Sequence, residues 1–433
     1  MPPTLAGTKF FYTNGTQFFM KGIAYQQDTA AAGGESVTGE YRDPLADEAA
    51  CARDLPILVK AGTNTLRTYA IDPKNDHSAC MKLLSDAGIY VVSDLSEPKL
   101  SINRETPQWN TQLYERYTSV IDALAQYDNT IGFFAGNEVS NDKSNTEASA
   151  FVKAAVRDAK KHIKEKGYRW MGVGYAANDD KDIRANSAHY FNCGDQDAAI
   201  DFWGYNIYSW CGENTLNYSV PVFFAEYGCN QPGGGDSRIF QETTALYEND
   251  MTSVFSGGIV YMYHQEANDF GLVEIENGQA KTMKNYDRLA SRVQAANPTA
   301  IQMDSYEPSN SPAECPSTGS TWEVHGDAMC SDEQKLAYVM NDWYKAQKST
   351  RTACDYDGQG EIVSPSADDT CKKALASVTD ATSASSTAKS SSSSSGNAAA
   401  AGVLFQPVLN LGGFAVGAYL IASACVGATI LAL

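Results

Sequence analysis

Two glutamates occupy matching positions in this sequence. The stretch "GFFAGNEVS" (132–140) runs apolar through Phe133, Phe134 and Ala135 and then presents Asn137 and Glu138. The stretch "VPVFFAEYGCN" (220–230) runs through Phe223, Phe224 and Ala225 and then presents Glu226. A carboxylate beside a packed strand is costly to desolvate, so a function is expected for it. Two carboxylates facing each other suit cleavage of a glycosidic bond. One holds a raised pKa and protonates the leaving oxygen, and the other stays ionised to attack the anomeric carbon. A separation of roughly 5–5.5 Å gives a covalent intermediate, and roughly 6.5–9.5 Å leaves room for a water. The structural alternative is a pair of rim glutamates bonded to Arg67 or a similar cation. An Asn-Glu pair at one strand end with a second Glu at another argues against it.

The elements that must carry these residues alternate. Strand patterns cover 17–25, 64–70, 88–95, 130–138, 169–177, 199–208, 220–228 and 257–264, and helical periodicity lies at 46–61, 113–127, 148–163, 240–255 and 283–296. Eight strands with intervening helices predict an α/β fold, a (β/α)8 TIM barrel. A doubly wound open sheet is the competitor, but it wants a glycine-rich phosphate turn after its first strand, where this chain reads "GIAYQQD". In a barrel, chemistry sits where the strands end, which puts Glu138 on strand four and Glu226 on strand seven at one rim. Aromatic residues crowd the same rim: Tyr69 after strand two, Tyr208 and Trp210 after strand six, Tyr261 and Tyr263 on strand eight. Their flat rings suit sugar faces, with core packing as the alternative for each. Asp94, at the end of strand three, is placed to bind sugar hydroxyls or to cap the next segment.

The 433 residues carry a formal charge of −19, which argues against nucleic acid or an anionic membrane surface as partner and leaves a neutral polysaccharide acceptable. The ten cysteines form no CxxC pair and only five histidines are present, so neither a metal nor a cofactor is expected. Scattered cysteines fit disulfides in an oxidising compartment, and the sequons at Asn14 and Asn217 agree with export. The opening "MPPTLAGTKFFYTNG" has no basic start and no apolar leader, so the sequence reads as lacking the export signal, with an intracellular protein as the alternative. The other end supports export. Residues 1–312 are assigned to the barrel, 313–376 to a small disulfide-containing helical appendage, 377–402 to a Ser/Ala-rich linker and 403–433 to an uncharged apolar tail. Small residues, a spacer and a terminal apolar tail predict a GPI-attachment signal, with Gly396 or Asn397 as the attachment residue. An ordinary membrane anchor is the alternative, but no basic residues follow the tail.

The motifs "GIAYQ", "NTLRTYAID", "VVSDLSEP", "FFAGNEVSN", "YNIYSWCG", "FFAEYGCN", "RIFQETTALY" and "GGIVYMYHQEANDFGLV" occur in order across residues 5–325. In these the chain resembles the fungal β-1,3-glucanosyltransferases of the Gas/Gel/Phr type, glycoside hydrolase family seventy-two. The resemblance implies a GPI-anchored enzyme on the outer face of the plasma membrane and in the cell wall. Such an enzyme cuts β-1,3-glucan internally and joins the new reducing end to an acceptor glucan. It implies Glu138 as acid/base and Glu226 as nucleophile. It implies Gln26, Tyr69, Asp94, Asn137 and Tyr208 as sugar-contacting or orienting residues, with Tyr261 or Tyr263 beside them. Gln27 competes with Gln26 for its place. It also implies the bridges Cys51–Cys80, Cys193–Cys315 and Cys211–Cys229. Longer members carry an eight-cysteine glucan-binding module after the barrel, whereas this chain keeps only Cys330, Cys354 and Cys371 there. Cys354–Cys371 is the favoured pair, with Cys330 unpaired or exchanged in, and the few aromatics of the appendage sit at core-like spacing that gives no independent sugar site. Donor and acceptor glucan chains are the expected partners of a monomer. Transfer is expected from the resemblance alone. The residues by themselves also allow a hydrolytic retaining endo-β-glucanase or a catalytically silent glucan-binding wall protein.

Overall fold

A computed structural model describes residues 3–27, 41–208, 218–230 and 233–324. The chain divides into two units, Met1–Ala328 and Met329–Leu433, and every described residue belongs to the first. The predicted barrel is present. Its strands are β1 (Met20–Ala24), β2 (Thr65–Thr68), β3 (Tyr90–Asp94), β4 (Thr130–Asn137), β5 (Gly172–Ala177), β6 (Phe202–Ile207), β7 (Val222–Tyr227) and β8 (Phe255–Val260). All pair in parallel with their neighbours, and β8 closes on β1 with Gly257 opposite Met20 and Val260 opposite Ile23. The barrel has no open edge to protect.

The outer helices are α1 (Glu48–Lys60), α2 (Ser78–Asp86), α3 (Thr111–Ala125), α4 (Ala148–Glu165), α5 (Arg184–Asn192), α6 (Gln241–Leu246), α7 (Asn249–Thr252) and α8 (Lys284–Ala295). Local chemistry starts two of them. Asp47 caps α1 by accepting from the Ala50 N–H, and Asn110 caps α3 by accepting from the Leu113 N–H. The sequence pattern missed α2 and α5. Each has only nine residues, α2 with a short apolar face of Cys80, Met81 and Leu84, and α5 buries Ser187 and Asn192 along with its apolar residues and shows no clean stripe. The single helix expected over 240–255 is instead the short pair α6 and α7. Glu248 between them is extended (φ −75°, ψ 159°), and the Tyr247 hydroxyl is drawn inward to donate to the Met20 carbonyl. Between β8 and α8 lies an unforeseen hairpin, Val273–Glu276 with Gln279–Thr282. Its turn is Asn277-Gly278, both at positive φ (52° and 77°), the pair that a tight hairpin favours.

Three short antiparallel strands, Thr4–Ala6, Lys9–Phe11 and Gln17–Phe18, precede the barrel. Phe10 from this sheet packs against Phe202 and Phe223, ring centroids 6.2 Å away in each case, at the strand beginnings of β6 and β7. The interior above is filled by Met20, Val92, Ile131, Phe134, Phe202, Phe223 and Ile259. Packing is tight enough that a Cβ on Gly174 would lie 2.2 Å from the Phe202 ring. The bottom is therefore plugged, and the strand C-termini form the open end.

Cys51–Cys80 and Cys193–Cys315 are bridged as the resemblance implied. Cys229 is disulfide-bonded, and its expected partner Cys211 lies outside the described residues, as do Trp210, Asn217, Cys330, Cys354, Cys371, Gly396 and Asn397. Past the expected barrel end at 312 the chain stays on the barrel flank. Beyond Cys315, the fully buried Trp322 packs 5.3 Å from Tyr190, and the Glu323 N–H donates to Thr146 Oγ1. Asn14 is exposed. Among the described residues no helix is long and apolar enough to cross a membrane, and no group of acidic, His or Cys side chains could hold a metal.

Candidate active site

Regular alternation would not deliver both glutamates to one place. In β7, Phe223 and Ala225 belong to the barrel interior, so the next residue should point outward. The β6–β7 register shifts between Phe224 and Glu226, and this irregularity turns Glu226 inward beside Ala225. In β4 the register with β5 shifts between Phe134 and Asn137. Glu138 then follows with φ +48°, a left-handed conformation that costs a non-glycine residue about 1–3 kcal/mol. Its N–H donates to the Ala176 carbonyl at 2.8 Å, and its carbonyl accepts from Arg104 Nη2 at 2.8 Å. Both irregularities lie next to the acidic residues they aim.

Arg67, on β2, organises the floor. It is fully buried and grips Asp94 through two parallel bonds, Nε–Oδ1 and Nη2–Oδ2, both 3.0 Å. Nη2 also donates to Asn137 Oδ1 at 3.0 Å, and Nη1 donates to Glu226 Oε1 at 3.2 Å. Its plane packs over the rings of Tyr69 and Phe134, each 4.4 Å away. Burial alone would lower its pKa, but the Asp94 and Glu226 charges outweigh burial and raise it, so the guanidinium stays charged. Asp94 is raised by burial against the pull of Arg67.

Glu226 is 3% exposed. Its Oε1 also accepts from the Tyr69 hydroxyl at 2.8 Å, and its Oε2 accepts a short bond from the Tyr208 hydroxyl. Burial pushes the carboxyl from 4.5 up to about 7; Arg67 pulls it down, the Glu138 charge pushes it up again, and the bonds from Tyr208 and Tyr69 pull it down. Burial and the Glu226 charge hold both tyrosines well above their ordinary value, so each keeps its hydrogen and remains a donor. Glu138 is half-buried, and its Oε1 accepts from Asn206 Nδ2 at 2.9 Å. The same Nδ2 donates to Asn137 Oδ1 at 3.0 Å. Asn206 sits opposite Glu226 in the β6–β7 register. One unbroken chain of contacts thus runs from Glu138 through Asn206, Asn137 and Arg67 to Glu226. Among the described residues the two carboxylates have unlike surroundings, with three donors on Glu226 and one on Glu138.

The other expected residues divide into two groups. Tyr69, Asp94, Asn137, Tyr208 and Tyr261 gather at the mouth. The Tyr261 ring lies edge-on to Tyr208 (6.0 Å), Phe270 (5.5 Å) and Tyr69 (6.4 Å). Tyr263 does not join them. It turns into the wall against Tyr25 (5.2 Å) and His264 (4.9 Å), beside Asp54, because β8 ends at Val260 and strand alternation no longer sets the facing of the residues after it. Of the two roles expected for Gln26, sugar contact or orientation, its contacts are those of an orienting residue. It is fully buried, and its Oε1 accepts from the N–H groups of Tyr69 and Ala70, each at 3.1 Å, while Nε2 donates to the Arg42 carbonyl. It shapes the turn that presents Tyr69, and Gln27 is the member of the pair that stays half-exposed.

The sequence reading missed Asn206, Phe270 and Arg238. Asn206 stood two residues before the recognised Tyr208, which alternation puts on the same face. Arg238 is buried, donates to the Tyr261 and Phe270 carbonyls, and sits where a Cβ on Gly228 would lie 1.8 Å from its Nη2. It secures the aromatic wall from behind. A cleft of about 220 Å³ opens beside the carboxylates, lined by Asp94 and Asn137 at its inner end and by Ser96, Glu97, Asn103 and Arg104 further out. Its lining is mostly polar, with Tyr117 its one aromatic among the described residues, which suits a hydroxyl-rich chain.

The glucanosyltransferase family of glycoside hydrolases has a sequence model that matches residues 1–297, and an X8 domain model matches residues 314–361, within the stretch set apart as the appendage. A 1,3-beta-glucanosyltransferase of Arthroderma benhamiae is 43% identical, over 98% of this chain and 91% of that protein. The pH-responsive protein 1 of Candida albicans is 41% identical, over 89% of this chain and 84% of that protein. Among solved structures, a Glu-to-Gln mutant of Saccharomyces cerevisiae Gas2p in complex with laminaritetraose and laminaripentaose is 38% identical, with a TM-score of 0.69 over 84% of each chain. The apo form of that mutant matches with a TM-score of 0.70 at 43% identity, over 78% of this chain and 74% of that one.

Proposed function

The chain belongs to the glucanosyltransferase family of glycoside hydrolases and is a transglycosylase, and on that premise we propose that it remodels β-1,3-glucan by a retaining mechanism through a covalent glycosyl-enzyme on Glu226. The observation that carries this reading is the unlike surroundings of two carboxylates joined by one polar network. Arg67, Tyr69 and Tyr208 all donate to Glu226 and pull against burial, which still holds its carboxyl at about 7, so the ionised nucleophile is the form present above that pH. Glu138 accepts one bond and keeps its other oxygen free for a proton, as an acid/base requires.

In the first step Glu138 protonates the glycosidic oxygen, the C1–O bond breaks, and a Glu226 oxygen bonds to C1. Oε1 is held by Arg67 and Tyr69, so Oε2, with Tyr208 alone, is the freer to attack. Asn137 has its Oδ1 occupied by Arg67 and Asn206, which leaves its amide nitrogen to hold the sugar 2-hydroxyl. In the second step Glu138 takes the proton of an acceptor 3-hydroxyl, that oxygen bonds to C1, and the ester to Glu226 breaks. Transfer outruns hydrolysis when the acceptor is held in line, where effective molarity reaches about 10⁵–10⁸ M. The rings of Tyr208, Tyr261 and Phe270 offer that hold, and the polar cleft at Asp94 suits the donor chain.

The relative solved with laminari-oligosaccharides binds β-1,3-linked glucose chains, and the same polymer is the substrate proposed here. The tail at 403–433, after the Ser-rich linker, supports a GPI-anchored protein at the outer face of the plasma membrane and in the wall. Incubation with one β-1,3-glucan oligomer of defined length tests the reading. Products longer than the donor, with β configuration at the new linkage, are expected. Products that are only shorter make the protein a hydrolase, and an α-configured first product refutes retention.

A further inference from the structure

We propose that Asn206 is the positioning residue that fixes which oxygen of Glu138 carries the catalytic proton; this rests on the retaining reading above. Asn206 is 3% exposed and lies on β6 opposite Glu226. Its Nδ2 donates to Glu138 Oε1 at 2.9 Å and to Asn137 Oδ1 at 3.0 Å. The orientation of this amide follows from its partners. Reversed, it would set its oxygen against two other acceptors. The N–H occupies one lone pair of Oε1, and an unprotonated carboxyl oxygen is a better acceptor than a protonated one, so this bond favours the proton on the other oxygen. The proton of Glu138 therefore sits on Oε2.

This constraint matters because the backbone and the side chain of Glu138 are held separately. Arg104 and the Ala176 carbonyl fix the backbone in its left-handed conformation. Three rotatable bonds then separate that backbone from the carboxyl oxygens, and the Asn206 contact fixes their orientation. The same contact helps turn Asn137, so one amide sets both the proton donor and the group that holds the sugar. Asn206 Oδ1 is buried without a hydrogen-bond partner. Among the described residues the side chain bonds only to the two catalytic neighbours, through Nδ2, and replacing it removes no other bond there.

The test compares leaving groups. Asn206→Leu is close to isosteric and removes the donor, and Asn206→Ala removes the side chain. Each is assayed on a β-1,3-glucan oligosaccharide, whose leaving alkoxide must be protonated, and on the matching β-glycosyl fluoride, whose fluoride leaves with little help. The expected result is a loss of about 10- to 100-fold in the first-turnover rate on the oligosaccharide. The first-turnover fluoride burst should fall less than about threefold, the same pattern as Glu138→Gln. Equal losses on both substrates, or no loss on the oligosaccharide, overturn the proposal. So does failure of both variants to fold, which would assign the residue to stability. A Glu226→Gln variant that keeps the first-turnover fluoride release would instead overturn the retaining reading itself.

Discussion

Glu226→Gln should change how the stability of this protein depends on pH. Burial and the Glu138 charge hold the Glu226 carboxyl at about 7 in the folded chain against 4.5 when exposed, with Arg67 and the two tyrosines opposing the shift. The folded state therefore binds this proton more tightly than the unfolded state. The resulting contribution to stability is fully present below pH 4.5, declines as pH rises, and is gone once pH has passed through about 7. The interval corresponds to about 3 kcal/mol, at about 1.4 kcal/mol per pKa unit. Glutamine does not titrate, so the variant lacks this decline. Its weaker bonds to Arg67, Tyr69 and Tyr208 shift its stability by an amount that is constant with pH. The readout is thus the slope, not the offset. Calorimetric melting of both proteins between pH 4 and pH 8 at fixed ionic strength should show the wild type losing on the order of 5 °C more than the variant. Parallel pH curves would refute the reasoning, because they would mean that the ionised carboxylate is as well solvated by its three donors as by water. The wild type gaining on the variant as pH rises would reverse the sign outright.

Glu138→Ala should lose about 10²- to 10⁴-fold on glucan and regain turnover with azide, giving a glycosyl azide of retained configuration detectable by NMR. No azide adduct would place the acid/base elsewhere. Tyr208→Phe removes a donor that lowers the Glu226 pKa, so the acidic limb of its pH–rate profile should move to higher pH, and an unmoved limb would show that the bond is not made in solution.

The sequence by itself determined the barrel, the order of its strands and the rim positions of Glu138 and Glu226, because long apolar runs of strand length alternating with helical stripes admit few packings. It also carried the family motifs, on which the acid/base and nucleophile roles rested. It did not determine which side chains face the mouth. Tyr261 and Tyr263 share one parity along the strand, and Gln26 and Gln27 are neighbours, so neither choice was legible from spacing. Register shifts in β4 and β7 reset the facing of Asn137 and Glu226, and such shifts leave no trace in a two-residue period. The hub role of Arg67 and the bridging role of Asn206 were likewise hidden. Each joins strands that are remote in sequence, and only ring closure brings β2, β4, β6 and β7 around one polar floor. Tertiary structure decided these contacts because a buried charge or amide is tolerable only where donors and acceptors from several strands converge on it.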